Sequence, residues 1–200
     1  MSENGNPPPL PDGWQEIRAE DLLTFEYGKA LPARLRRPGE VGVYASAGRV
    51  GDHDEALVTE PVVVIGRKGA AGNVFVTDGP AWVIDTAYYV RVPESHNARF
   101  LAYQLQAQHL ERLDKSTAIP SLSRDDLKGV PIRFPLRAEQ DSIVELVDKR
   151  LERIAQGQEE LRAALGHAEA LKRSLIRHLC LSDGYRQTRH VAPDLGASNP

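Results

Sequence analysis

The chain has 200 residues, with 25 Lys and Arg against 28 Asp and Glu and a formal net charge of −3, which excludes a broadly basic surface. No apolar run approaches the ~18 residues that a membrane span needs. The single cysteine, Cys180, excludes an internal disulfide framework, so we expect a reducing, cytoplasmic environment. Residues 1–11 are polar and contain four prolines, which predicts a flexible leader.

The segment from Trp14 to about Val92 predicts a compact, strand-rich region. Short apolar runs alternate with clusters of Gly, Asp, Asn and Pro. The runs are VGVYAS, PVVVIG, NVFVTD and AWVIDTAYYVRV. Within the last of these, TAYYV alternates in the manner of a half-buried strand, and residues 78–82 preceding it have the composition of a turn.

Helical periodicity begins near Asn97. The apolar residues of this helical face are Phe100, Leu101, Leu105, Leu110 and Leu113. Further on, Ser123 is followed three residues later by Asp126, which predicts a short capped helical turn that Gly129 must end. The sequence VPIRFPL is then expected to be extended, because each proline disfavours a helical predecessor.

Residues 138–182 predict one long helix with a coiled-coil seam, because apolar residues recur at alternating spacings of four and three. The seam positions that we assign to dimerisation are Val147, Leu151, Ile154, Leu161, Leu165, Ala168, Leu175 and Leu179. Gly157 and Gly166 each weaken the helix by about 1 kcal/mol relative to alanine, so we expect it to need a partner helix. The alternative is that the stripe packs against its own domain. Residues 183–200 are predicted to be a disordered tail.

Two local groups of cations are candidate anion-binding sites. The pair Arg67-Lys68 lies on a predicted turn between two strands, with Gly66 and Gly69 on either side. Glycines let such a turn adopt positive φ and pass close to another backbone, which would hold the two cations stiffly for phosphate oxygens. A solvent-facing hairpin loop is the alternative for that turn. The second group has no acid within it and comprises Lys29, Arg34, Arg36 and Arg37.

No catalytic or metal-binding motif is complete in this sequence. The stretch GRKGAAGN lacks the Gly-Lys-Ser/Thr end of a phosphate-binding loop, and NPPP lacks the aromatic residue of amino-methyltransferases. No two of the six histidines have the i, i+4 spacing of a zinc-binding helix, and residues 52–55 fit an Asp-rich turn better than a cation site. We therefore predict no catalytic residue, no metal and no cofactor bound by this chain.

From about Leu10 to Gly184 the sequence resembles one half of a specificity subunit of a type I restriction–modification system. Such a half is a target recognition domain followed by a long helical spacer. The stretches that carry the resemblance, in this order, are LPDGWQEIRAEDL, YGKALP, VGVYASAGRVGDHDEAL, PVVVIGRKGAAGNVFVTDGPAWVIDTAYYV, STAIPSLSRDDLKGVPIRFPLRAEQDSIV and the terminal helix.

The predicted fold is α+β, with a compact strand-rich target recognition domain at residues 12–137 and a long C-terminal coiled-coil helix at residues 138–182. The resemblance implies a non-catalytic protein that reads double-stranded DNA with a bipartite target. It also implies a scaffold for methyltransferase subunits, which carry S-adenosylmethionine, and for restriction subunits.

The family pattern has two recognition domains and two spacers paired antiparallel, whereas this chain has one of each. That difference suggests a half subunit that forms a homodimer on a symmetric target. A truncated remnant, or pairing with a different half, would also explain it. Two further hypotheses are a coiled-coil adaptor that does not read DNA and an orphan hydrolase that uses the glycine-rich turn as a phosphate cradle.

Carried over by position, the Arg67-Lys68 turn and the Tyr44–Gly51 loop lie where the family presents loops to DNA. We predict that Arg67 and Lys68 hold phosphates and that Ser46 and Arg49 lie nearer to base edges. On the basis of charge alone, we also predict DNA contacts for the second group of cations, which comprises Lys29, Arg34, Arg36 and Arg37.

The segment Thr117–Gln140, together with the outer faces of the long helix, is predicted to meet the methyltransferase subunit.

Overall fold

The computed structural model describes residues 9–181. The chain divides into two compact units, Met1–Leu146 and Val147–Pro200. Most of the predicted leader, residue 182 and the predicted tail at residues 183–200 lie outside the described residues. In the part of the chain that is described, no helix is both long enough and apolar enough to cross a membrane.

The element order confirms a strand-rich domain followed by a long C-terminal helix. The elements are β1 Gln15–Arg18, α1 Ala19–Leu22, β2 Phe25–Tyr27, a 3-10 turn Ala33–Leu35, β3 Val41–Ala45, β4 Gly48–His53, β5 Val63–Gly66, β6 Val74–Val76, β7 Ala81–Val83, β8 Ala87–Val90, α2 Ala98–Ala107, a second 3-10 turn Leu110–Leu113, α3 Arg124–Lys128, β9 Pro131–Phe134 and α4 Arg137–Leu181.

The strands form three small sheets. The largest is antiparallel, with the order β2-β8-β5-β6. A second sheet has the order β4-β3-β7, in which β3 runs antiparallel to β4 and parallel to β7. The third pairs β1 with β9, so that Gln15 lies opposite Phe134 and the two ends of the strand-rich region meet.

The four-stranded sheet is covered on both faces, which creates two hydrophobic cores. Val63 and Ile65 of β5 face a core that includes leucines of α2, whereas Val64 faces a core shared with β3 and β7. All four residues of β8 are buried, with Tyr88 in the first core and Tyr89 in the second. The prediction that TAYYV is half-buried was wrong, because a second sheet covers the face expected to meet solvent.

The helix predicted to run from Asn97 through Leu113 ends earlier. The Asn97 side chain caps the N-terminus of α2, but the helix stops at Ala107 and His109 adopts the left-handed conformation with φ 53°. Leu110–Leu113 then form a separate 3-10 turn. A close neighbour explains the break: Gly72 packs so tightly on this turn that an added Cβ would lie 2.8 Å from Glu111 Cα.

The capped helical turn is confirmed. In α3, Ser123 Oγ accepts the Asp126 N–H at 3.1 Å, and the Asp126 carboxylate accepts the Ser123 N–H at 2.9 Å. Gly129 is the C-cap, and the extended segment that follows is β9. The sequence pattern predicted that this segment is extended, but it did not predict that the segment pairs with β1.

Helix α4 contains 45 residues, a length of about 68 Å. It begins one residue before the predicted position, and its first turns belong to the first unit, where Gln140 and Val144 are buried. Gln140 Nε2 donates to Pro135 O at 2.9 Å, while its Oε1 accepts the Asn97 N–H at 2.9 Å. These buried contacts explain why the first unit extends to Leu146 rather than to the start of the helix.

Gly72→Ala is expected to destabilise the first unit by about 2–4 kcal/mol, because φ of +87° and the nearby Glu111 backbone both exclude a side chain. The measurement is the urea midpoint of unfolding. The matched control is Gly129→Ala, since an added Cβ there meets nothing within 4 Å, and its effect should stay within about 0.5 kcal/mol. Equal losses in both variants would contradict the close approach at Gly72.

Burial of Tyr88 is expected to make the folded chain less stable at alkaline pH. Burial raises the pKa of Tyr88 from 10.0 to about 12. Between those values the unfolded chain gives up the phenol proton while the folded chain keeps it, so stability should fall as pH rises from about 10 to about 12. Urea midpoints at about pH 9 and about pH 11 should differ more in the wild type than in Tyr88→Phe. The same pH dependence in both proteins would argue against this assignment.

Candidate nucleic-acid interface

The loop between β5 and β6 is fixed by main-chain hydrogen bonds on two sides. The N–H groups of Arg67 and Lys68 both donate to Thr86 O, at 2.9 and 3.1 Å. On the other side Gly69 N donates to Pro120 O at 3.0 Å, and Leu122 N donates to Arg67 O at 2.9 Å. The loop is therefore attached both to the β7–β8 turn and to residues 120–122.

Arg67 is half-buried and its guanidinium is held in place. Nε and Nη2 donate to the main-chain oxygen of Asp85, at 3.1 and 2.8 Å. The same group lies 5.3 Å from the centre of the Tyr27 ring and 6.0 Å from that of Tyr88. Since a guanidinium has five N–H donors, part of it is left to bind an anion. The neighbouring Lys68 is exposed and forms no ion pair with any described residue.

Close packing of the glycines on this loop is as predicted. Gly69 has φ +78°, and a Cβ on Gly66 would overlap the main-chain oxygen of Ala70. Both conditions are restricted to glycine, so a side chain at either position would distort the turn that carries the two cations.

The predicted Tyr44–Gly51 loop is the end of a β-hairpin instead. β3 and β4 pair directly, and only Ser46 and Ala47 form the turn between them. The Ser46 N–H donates to Thr86 Oγ1 at 3.4 Å, so this hairpin meets the β7–β8 turn that also holds the Arg67 loop. Ser46 is 8% exposed, which leaves its hydroxyl little surface with which to reach a base edge.

Two of the arginines predicted to bind DNA are paired with carboxylates. Arg37 donates to Asp54 at 2.7 Å and to Glu55 at 2.6 Å, and the hydrogen bond to Asp54 raises the pKa of Arg37 and lowers that of Asp54. Arg49 binds Asp52, which raises the pKa of Arg49 in the same way. These acidic residues are engaged with arginines rather than arranged as a cation site.

The remaining cations of the second group lie in different environments. Lys29 Nζ is 5.8 Å from the centre of the Trp82 ring. Arg36 is half-buried, and its Nη1 donates to Val50 O at 2.8 Å. Arg34 is exposed and has no ion pair among residues 9–181. The three remaining cations therefore differ: Arg34 is open to solvent, Lys29 lies beside an aromatic ring and Arg36 is anchored to the hairpin.

Tyr27 and Arg124 belong to the site, although the sequence patterns did not identify them. Tyr27 is 48% exposed and its ring lies 5.1 Å from that of Tyr88. The Arg124 guanidinium is 4.6 Å from the centre of the Tyr27 ring, which Arg67 also approaches. One feature of the sequence could have drawn attention to Arg124. It occupies the first position of a capped helical turn, where the helix dipole disfavours a cation.

The assembled surface can bind anions. It combines exposed cations with an exposed aromatic ring, and an open cavity of about 530 Å³ beside it is lined in part by Phe25, Tyr27 and Lys128. Across residues 9–181, no three His, Cys, Asp or Glu side chains are grouped as metal ligands.

Comparison with known proteins places the chain in a family. A family model for the type I restriction modification DNA specificity domain matches residues 11–163. A search of curated proteins found no significant match.

Several solved structures share the fold. The type I restriction–modification S subunit from M. genitalium is 22% identical with a TM-score of 0.61, over 82% of this chain and 48% of that one. A chain from a study of complex assembly and conformational transition of the type I R-M system is 17% identical with a TM-score of 0.71, over 88% and 47%. The HsdS subunit from Thermoanaerobacter tengcongensis is 19% identical with a TM-score of 0.58, over 77% and 41%.

This chain thus spans less than half the length of each of these relatives. At such identities the similarity shows a common fold. The family model, in contrast, covers well over half of the chain and extends from the strand-rich domain into α4. The chain belongs to the type I restriction modification DNA specificity domain family.

Proposed function

We propose that this chain is the non-catalytic subunit that recognises the DNA sequence in a type I restriction–modification system and that it acts in the cytoplasm. The observation that carries the proposal is the loop at residues 66–69. It holds Arg67 on the Asp85 carbonyl and presents Lys68, which has no ion pair among residues 9–181, beside it. Rigid cations on a glycine-flanked turn suit DNA phosphates, and membership of the specificity-domain family supports DNA as the ligand.

We further propose that α4 pairs with the α4 of a second copy. Exposure of the seam supports this: Leu151, Ile154, Leu161 and Leu165 are 47%, 56%, 72% and 61% exposed. Burying a leucine side chain fully contributes about 1.5–3 kcal/mol, so a row of them favours a partner helix. A dimer of identical recognition domains would read two identical half-sites of a bipartite, symmetric target.

The segment Thr117–Gln140 is proposed to meet a methyltransferase subunit, which would carry S-adenosylmethionine, in a complex that also contains a restriction subunit. Ile119 and Leu136 support this assignment, because they are 66% and 79% exposed and present apolar surface. Gln140 is buried and is not part of the proposed contact.

A DNA-independent adaptor is the second candidate function. It is favoured by the net charge of −3 and by the carboxylates that already pair with Arg37 and Arg49. Binding of duplex DNA, measured with and without a methyltransferase subunit, separates the two functions. An adaptor would bind the subunit but add nothing to its affinity for DNA.

The decisive experiment is co-expression with a candidate methyltransferase subunit, followed by mapping of methylated sites in the host DNA. A symmetric, gapped motif would support both sequence recognition and the half-subunit arrangement. An asymmetric motif would indicate pairing with a different half. Methylation at the same sites without this chain would contradict the proposed function.

Lys68→Gln is expected to weaken DNA binding equally on all sequences, because a phosphate contact carries no sequence information. The slope of log affinity against log salt should become shallower by about one. The control is Arg133→Gln, which removes the same charge from a residue paired with Glu16 on the β1–β9 sheet. An unchanged slope for Lys68→Gln would remove this loop from the interface.

Leu161→Glu with Leu165→Glu is expected to dissociate the dimer, because it places charges within the apolar seam. Light scattering should then give the mass of one chain, 22.1 kDa. Ala163→Glu, which lies on another face of the same helix turn, should leave the dimer intact. A dimer that persists in the double variant would disprove the assigned seam.

A further inference from the structure

We infer that Tyr27, Arg67 and Arg124 form a single site for the phosphate backbone of duplex DNA. The inference rests on the proposed function and adds to it Tyr27 and Arg124, which neither the basic loops nor the family resemblance assigned to DNA. The site combines residues from β2, from the β5–β6 loop and from the first turn of α3.

The geometry brings the three side chains to one ring. The guanidinium groups of Arg67 and Arg124 lie 5.3 and 4.6 Å from the centre of the Tyr27 ring. Behind it, Tyr88 is buried, and its hydroxyl donates to Leu122 O at 3.0 Å. This bond links the floor of the site to the residues just before α3, so the ring and both cations are positioned by the core.

Neither arginine is neutralised by a carboxylate in the described residues. The neighbouring acids have other partners: Asp125 binds Lys128 at 2.6 Å, and Asp126 binds Ser123. The other acids close to the ring are also engaged, Glu20 with Arg18 and Glu26 with Arg91 and Tyr89. The exposed side chain of Asp85, next to the carbonyl that holds Arg67, forms no ion pair with any of residues 9–181.

Two cations against one aromatic ring repel each other, and an anion between or above them would relieve that repulsion. The ring face attracts a guanidinium and fixes its plane, so its N–H edges remain available. Those edges match the oxygens of a phosphate in a way that a lysine does not. Lys68, next to Arg67 in the chain, extends the same cationic surface.

An acidic patch of the methyltransferase subunit could also pair with these arginines, since Arg124 lies within the segment proposed to meet that subunit. DNA is the favoured occupant, because the site continues into the loop of Arg67 and Lys68. The measurement below distinguishes the two occupants.

The test measures binding of fluorescently labelled duplex DNA of mixed sequence to the full chain, alone and with its methyltransferase subunit, over a salt series. Arg124→Gln should weaken binding at least ~fivefold and make the salt slope shallower by about one. Tyr27→Leu should weaken binding about two- to fivefold with an unchanged slope, because it removes the ring but no charge. Tyr27→Phe, which keeps the ring, should bind like the wild type.

Arg133→Gln again serves as the control, since it removes one charge outside the site, at a residue paired with Glu16 on the β1–β9 sheet. Arg124→Lys provides a milder variant that keeps the charge and therefore the slope, but should lose affinity with the guanidinium fork. Equal losses for Arg124→Gln and Arg133→Gln would overturn the site, because general charge would then explain both.

The outcomes separate this site from the proposed function. If Lys68→Gln weakens DNA binding and Arg124→Gln does not, the site is wrong and the proposed function stands. If Arg124→Gln instead weakens association with the methyltransferase subunit while DNA binding is unchanged, the occupant is protein and the site as stated is wrong. If the wild type with its partner binds no DNA, the proposed function itself fails.

Discussion

The candidate interface depends on main-chain hydrogen bonds that attach residues 67–69 to residues 120–122 and to Thr86. The bonds to residues 120–122 join segments that are about fifty residues apart in the sequence. They explain why the loop proposed to bind DNA lies beside a segment proposed to meet a protein partner.

The two cores provide the rigidity that the surface needs. β5 and β8 are buried on both faces, so their ends can move little. The cations lie just beyond those ends, on turns rather than on strands, where side chains reach solvent. Arg67, whose guanidinium is already held on the Asp85 carbonyl, therefore loses little conformational freedom when a ligand binds, which favours affinity.

Much of the fold was predictable from sequence, because periodicity and turn residues report local structure. The capped turn at Ser123 and the long helix followed directly from such patterns. The burial of β8 on both faces and the break at His109 did not, since each depends on a segment distant in the sequence. The candidate site was predictable only to the same extent. Charge in the sequence identified Arg67 and Lys68 as candidates. Only the fold shows that Arg37 is paired with a carboxylate and that Tyr27 lies beside Arg124.

The acceptor that positions Arg67 is the carbonyl of Asp85, and the acceptor for the Gly69 N–H is the carbonyl of Pro120. Every amino acid supplies such an oxygen. Substitutions at positions 85 and 120 can therefore change the side chains at these positions while the main-chain acceptors remain. A recognition surface built on this principle is free to diversify its chemistry without having to re-evolve its framework.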